Sequence, residues 1–152
     1  MNLSKSSSGH YFYSMGEGNP LVLLHGFPDC AENFQHQLEF FSSQGYQVIA
    51  PYLPGYHPED KELDTYQSLR IAEEIIEFIK SVTDKKISLF GHDWGASIAY
   101  GIAGLEPDLV DKLITVSVPL GISVGASFLS DGDQQRKSWY MFFFQLPIAD
   151  LA

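Results

Sequence analysis

Asp93 stands at the centre of Gly91-His92-Asp93-Trp94-Gly95, between an apolar run that reads as a strand and a small-residue run that reads as a helix. This is the frame of a tight strand-to-helix turn that presents a nucleophile, with aspartate where serine is the usual occupant. Glycines on either side let the two backbones approach closely. The central side chain is then pushed out above the sheet, beside a helix N-terminus that favours negative charge. A carboxylate held this way can attack an electrophilic carbon and form an ester intermediate. A plain loop with an N-capping aspartate would show the same short pattern, so the motif needs a second one beside it.

That second motif is His25-Gly26-Phe27-Pro28-Asp29, directly after the apolar run Leu21–Leu24. Where a nucleophile sits on such a turn, a loop of this kind supplies one backbone donor and the residue after the nucleophile supplies the other. The N–H groups of Phe27 and Trp94 are therefore expected to face one site and to stabilise a developing negative charge. Gly26 permits the bend, and a cis Phe27–Pro28 bond would fix the chain beyond it. An ordinary turn with Phe27 in the core is the competing reading of this motif alone.

The elements that must position these residues follow from periodicity. Tyr11 to Met15 reads as a strand closed by a turn at Gly16–Asn19, and Leu21–Leu24 is a continuous apolar run of the sort a doubly covered strand shows. A helix is expected over Ala31 to Ser43 with Gly45 as its stop, then a strand from Tyr46 to Ala50. Leu53-Pro54-Gly55-Tyr56-His57-Pro58 reads as loop. From Thr65 to Val82, Ala72, Ile75, Ile76 and Ile79 recur at helical spacing, with Glu73, Glu74 and Glu77 placed off that face. Ile87–Phe90 and Leu113–Val118 read as strands around a helix at 96–104, so the alternation implies a mostly parallel sheet with helices on both faces. Three divisions are expected: a flexible Ser-rich lead at 1–9, a partial core at 10–126 and a helical cap beginning at 127–152. The cap would open with an Asp131-Gly132-Asp133 turn and continue into the aromatic run Trp139–Phe144, whose rings need a partner surface.

With these residues in place, the sequence resembles the epoxide hydrolase branch of the α/β-hydrolase family. The resemblance is carried by HGFPD at 25–29, LPGY at 53–56, GHDWGA at 91–96 and SWYMFFFQLP at 138–147. It implies an incomplete α/β-hydrolase fold with the start of a helical cap. It implies that Asp93 opens an epoxide and becomes an alkyl ester, and that Phe27 and Trp94 form the oxyanion hole. The ring of Trp94 would wall the pocket, and Tyr140 would match the first of two cap tyrosines that protonate the epoxide oxygen. A phenol suits that task because it donates a proton while staying neutral at pH 7. Read without the resemblance, Tyr140 is a packing aromatic. His25 and His92 are expected to be structural. Phe27, Trp94 and Tyr140 together favour a small, hydrophobic, electrophilic substrate such as an epoxide.

The pattern breaks in one place. In this family the nucleophile is followed by an acid and then a histidine, but His10, His25, His36, His57 and His92 all precede Asp93. Asp131, Asp133 and Asp150 are carboxylates of the linker or cap segment. The chain is therefore expected to be the N-terminal part of a longer hydrolase, unable to turn over by itself. Its last core strand should be an uncovered edge prone to self-association. A haloalkane dehalogenase is the nearest alternative, but Phe27 stands where a halide-binding Asn is usual. A fluoroacetate-type dehalogenase generally has Arg at the position of Trp94, and a serine esterase lacks its serine. A non-catalytic truncated isoform or binding module is the alternative from another class.

Composition narrows the rest. In 152 residues, 45% are hydrophobic and 18% charged, which excludes a disordered or coiled-coil chain. The charge sum, 9 − 19 = −10, argues against nucleic acid and against anionic membrane surfaces. Cys30 is the lone cysteine, with no zinc-type spacing. The first ten residues lack a secretory apolar core, and no apolar run reaches membrane length. No cofactor motif is present. The expectation is a soluble cytoplasmic protein.

Overall fold

The structure is a computed structural model and describes residues 2–60, 62–143 and 146. Strand β3 (Asn19–Leu24) is buried at every position from Pro20 to Leu24, because apolar layers cover both of its faces. It lies in a sheet with β1 (Leu3–Lys5), β2 (Tyr11–Met15), β4 (Tyr46–Pro51), β5 (Ile87–His92) and β6 (Val110–Val116). The spatial order is β1-β2-β4-β3-β5-β6. β1 and β2 pair antiparallel, and the pairs among β4, β3, β5 and β6 are parallel.

Successive side chains of the strands feed two cores. Val22, Leu24 and Ile49 pack with Ile75 and Ile79 of α2 (Ser68–Val82) and with Ile98 and Ile102 of α3 (Trp94–Leu105). Leu21, Leu23, Val48 and Ala50 pack with Phe34 and with Leu38 of α1 (Gln35–Ser43). The helices thus lie on both faces, as the alternation predicts. After β3 the chain first builds β4 on one side, then crosses to build β5 on the other. The crevice at the carboxyl ends of β3 and β5 is therefore the topological switch point, the usual ligand position in open α/β sheets.

Several local expectations need correction. The lead at 1–9 is not loose throughout, because Leu3–Lys5 pairs with Tyr11–Tyr13 as a hairpin. Its serines belong to the turn: the Gly9 amide donates to the Ser6 carbonyl at 3.0 Å, and Ser8 Oγ lies 3.2 Å from Ser81 Oγ. The 31–43 segment begins as a 3₁₀ turn, Ala31–Phe34, before α1. α2 starts at Ser68 rather than Thr65, and β6 runs Val110–Val116 because Ser117 takes φ 75° and ends the strand. Glu74 is not on the solvated face. It is 2% exposed and holds Arg70 Nη2 at 2.5 Å and His10 Nε2 at 3.7 Å. One turn's spacing from Arg70 and Phe78 puts it at the margin of the apolar arc, where an ion pair makes burial tolerable.

The chain divides into two compact units, Met1–Pro119 and Leu120–Ala152. A boundary at 126/127 would cut through α4 (Gly121–Ser130), and the breakers lie earlier, at Pro119 and Gly121. In the second unit the expected Asp131 turn is the N-cap of α5 (Gly132–Lys137). Its side chain accepts from Asp133 N at 2.9 Å and Gln134 N at 3.3 Å. Helix α6 (Trp139–Phe143) holds most of the aromatic run, with the Trp139 and Phe143 rings 5.9 Å apart. Phe144, Gln145, Pro147 and Asp150 lie outside the described residues.

Candidate active site

The register Leu24↔Gly91 sets the ends of β3 and β5 side by side, so the 25–29 loop and the 91–95 turn emerge together. Asp93 links β5 to α3 with φ 53° and ψ −118°, a backbone region that side-chain-bearing residues rarely occupy. Holding it there costs about 1–3 kcal/mol, and such strain concentrates at functional positions. The turn closes because its glycines leave no gap for a Cβ. One added at Gly91 would lie 2.3 Å from the Gly95 carbonyl oxygen, and one at Gly95 would lie 2.2 Å from the Leu24 carbonyl oxygen.

Both expected donors converge on one carboxylate oxygen. Asp93 Oδ1 accepts from the Phe27 amide at 3.0 Å and from the Trp94 amide at 2.7 Å. An ordinary N-cap bonds the second or third helical amide, folding back over its own helix. Asp93 instead takes the first helical amide and one from a loop 66 residues earlier. Oδ2 has no hydrogen-bond partner among the described residues. One oxygen is anchored where negative charge is stabilised, and the other keeps its lone pairs.

The loop that brings Phe27 into place is held by His25, which is fully buried. Its Nε2 accepts from the Leu53 amide at 3.0 Å, so the proton is on Nδ1, which donates to the Gly26 carbonyl at 3.1 Å. Burial pushes the His25 pKa down, keeping the ring neutral in this double role. Gly26 must be glycine, since an added Cβ would lie 2.4 Å from Asp93 Cβ. The Phe27–Pro28 bond is cis, as the bend suggests. His92 ends β5 and contributes to the sheet ladder.

A cleft of about 190 Å³ is lined in part by Trp94, the residue after Asp93. Leu53, Pro54, Ile71 and Ile98 give it aliphatic walls, and Tyr56, Tyr66 and Trp94 supply rings. Tyr56 packs edge-on against His25 with ring centres 4.7 Å apart. Burial, and then the charge of Asp93, raises the Tyr56 phenol above its ordinary pKa. Tyr56 is the residue that sequence reasoning passed over. The Pro/Gly loop around it was legible, but its approach to Asp93 depends on β4 and β5 flanking the same strand. A second cleft, of about 160 Å³, is lined by charged residues including Lys5, Glu59 and Asp60, and by none of residues 27, 93 and 94. Tyr140 lies on α6 in the second unit and is exposed. Phe27 and Trp94 are also exposed, at 48% and 44%.

The family model for the alpha/beta hydrolase fold matches residues 19–151. Among curated relatives, Epoxide hydrolase 3 of Siraitia grosvenorii is 38% identical over 138 residues, which is 88% of this chain and 44% of the relative. Epoxide hydrolase 4 of Homo sapiens is 36% identical over 141 residues, 91% of this chain and 39% of the relative. A crystal structure of Bacillus megaterium epoxide hydrolase in complex with an inhibitor superposes with a TM-score of 0.86 at 29% identity. That match covers 98% of this chain and 53% of the other.

The chain belongs to the α/β-hydrolase family, and these relatives within it are epoxide hydrolases.

Membership accounts for the arrangement at the switch point of this α/β hydrolase. The chain spans less than half the length of these curated relatives. Among the described residues, no helix is long and apolar enough to cross a membrane.

Proposed function

We propose that the chain carries the alkylation half of an epoxide hydrolase. The observation that supports this most directly is the division of labour on Asp93, with Oδ1 held by two amides and Oδ2 uncommitted. Oδ2 attacks an epoxide carbon, the C–O bond of the ring breaks, and an Asp93 alkyl ester forms. The released alkoxide takes a proton from the Tyr140 phenol, which regains one from water. During ester hydrolysis the charge would develop on Oδ1, which already faces both amides.

Hydrolysis also needs a base for the attacking water. His25 commits both ring nitrogens, His10 faces Glu74, and His57 stacks on Tyr11 at 3.8 Å. His36 is exposed on α1, and His92 lies in β5, before the turn. The 152-residue chain is therefore expected to form at most one equivalent of ester. Intact-mass spectrometry after incubation with an epoxide tests this. A single adduct on Asp93, absent in Asp93→Asn, supports the reading, whereas sustained diol production by this chain would refute the missing-base argument. Halide release from a haloalkane without reaction on epoxides would favour a dehalogenase, and failure to react with either a non-catalytic role. The compartment is proposed as the cytoplasm, consistent with Cys30 as a free thiol. Cell fractionation that finds the protein secreted would overturn that placement.

A further inference from the structure

Among the described residues, two that are not glycine have a positive φ: Asp93 at 53° and Ser117 at 75°. One hydrogen bond joins their neighbourhoods, the Asp93 amide donating to the Val116 carbonyl at 3.1 Å. That carbonyl belongs to the peptide unit between Val116 and Ser117, so the φ of Ser117 turns about the same unit. The other anchors of the Asp93 backbone lie in its own helix, where its carbonyl accepts from the Ala96 amide at 3.0 Å. The Asp93 amide depends instead on β6, whose one strand partner among the described residues is β5. A left-handed serine at the end of such a strand persists only where its surroundings over-determine it.

Tyr100 supplies that restraint. It follows Asp93 by seven residues, two turns along the same face of α3 and about 10 Å away at the rise of a helix. Its hydroxyl lies 2.8 Å from Thr115 Oγ1 and donates to the Val118 carbonyl at 3.3 Å. With its proton given to Val118, the phenol oxygen is left to accept from the Thr115 hydroxyl. The two contacts fall on either side of the Val116–Ser117 peptide. Tyr100 is not among the residues that line the cleft beside Trp94.

We propose that Tyr100 is a positioning residue for the nucleophile: its hydroxyl clamps β6 on both sides of the Val116–Ser117 peptide and so fixes the carbonyl that receives the Asp93 amide. A carboxylate whose backbone drifts spends less time in the geometry of attack. The consequence for chemistry rests on the ester-forming reading of Asp93, whereas the restraint on its backbone does not.

Amide hydrogen exchange, resolved to single residues by fragmentation in the mass spectrometer, is measured on the 152-residue chain at micromolar concentration. The amides of Val22 and Leu23, in the covered strand β3, report opening of the whole chain. Tyr100→Phe keeps the ring and removes the hydroxyl. It is expected to speed exchange at Asp93 about five-fold, the worth of one neutral hydrogen bond, and to leave Val22 and Leu23 unchanged. Thr115→Val is expected to move Asp93 in the same direction, and Thr115→Ser, which keeps a hydroxyl, to leave it unmoved. Exchange at Asp93 that does not change in Tyr100→Phe, or that rises in step with Val22 and Leu23, would overturn the proposal, as would equal behaviour of the valine and serine variants. Ester formation with styrene oxide is scored separately by intact mass. In Tyr100→Phe its saturating rate is expected to fall about five-fold at an unchanged half-saturating concentration. A change in that concentration alone would make Tyr100 a binding residue and refute the positioning role. If the wild-type chain forms no adduct while Asp93 exchange responds to Tyr100→Phe, the epoxide reading fails and the clamp stands. An adduct in the wild type with Asp93 exchange unmoved by Tyr100→Phe has the opposite meaning.

Discussion

The amide of Phe27 donates to Asp93 Oδ1 at 3.0 Å, joining two loops separated by 66 residues of sequence. Gly26 is what allows the contact, since a Cβ there would meet Asp93 Cβ at 2.4 Å and Asp93 Oδ1 at 2.6 Å. Gly26→Ala must push the two loops apart and withdraw the Phe27 donor. The clash also displaces the Asp93 carboxylate, and a misplacement of about 1 Å at a reacting group can cost about 100-fold in rate. The rate of Asp93 ester formation, followed by mass spectrometry, is expected to fall by about 100-fold while the circular dichroism spectrum is retained. An unchanged rate would show that the Phe27 amide takes no part.

Asp93 trades stability for presentation. Its φ of 53° is a conformation glycine adopts freely. Asp93→Gly should abolish ester formation and raise the unfolding free energy by about 1 kcal/mol, strain relief outweighing the added chain entropy. Chemical denaturation measures it. A less stable glycine variant would mean that the carboxylate's bonds to the two amides outweigh the strain.

His25 makes stability pH-dependent. Burial lowers its folded pKa below the ordinary value of about 6.5, so the unfolded chain binds the extra proton first. Its contribution is complete above about pH 6.5 and is lost as pH falls from there towards the folded value. Protonation would also remove the acceptor for the Leu53 amide. The thermal midpoint should drop between pH 6.5 and pH 5, and the drop should shrink in His25→Gln, whose amide can still donate and accept. Identical slopes in the two proteins would assign the effect to other groups.

Strand β6 has β5 as its one partner among the described residues, and Ile114 and Val116, on one face, are 50% and 44% exposed. An open edge with apolar side chains is a template for another chain. The isolated chain is expected to self-associate with rising concentration in sedimentation, and Ile114→Lys to shift it towards monomer with little loss of fold. A wild-type chain that stays monomeric at high concentration would remove this expectation.

Local chemistry made much of this molecule readable in advance. The apolar run Leu21–Leu24 could be placed as a covered strand because each of its residues is apolar. Asp93 between Gly91 and Gly95 could be read as a presented nucleophile because few residue types tolerate such a turn. The Ser-rich lead could not be read this way, because Ser6–Gly9 forms a turn only when Leu3–Lys5 finds Tyr11–Tyr13 to pair with. Glu74 misled for a related reason: a glutamate beside an apolar arc is expected in water unless partners from outside its helix turn face it. His10, just before β2, supplies one.

The order of residues by itself determined the strand–helix alternation, the strained turn at Asp93 and the second loop that answers it, since these depend on side-chain size, polarity and backbone freedom at adjacent positions. Tertiary structure alone decided that Phe27 and Trp94 share one oxygen, that His25 is locked neutral between Gly26 and Leu53, and that Tyr56 and Trp94 line one cleft. Those relationships come from the parallel register of β3 with β5 and from the chain crossing that sets β4 and β5 on opposite sides of β3. Distances between residues so far apart in sequence arise only once the sheet has closed.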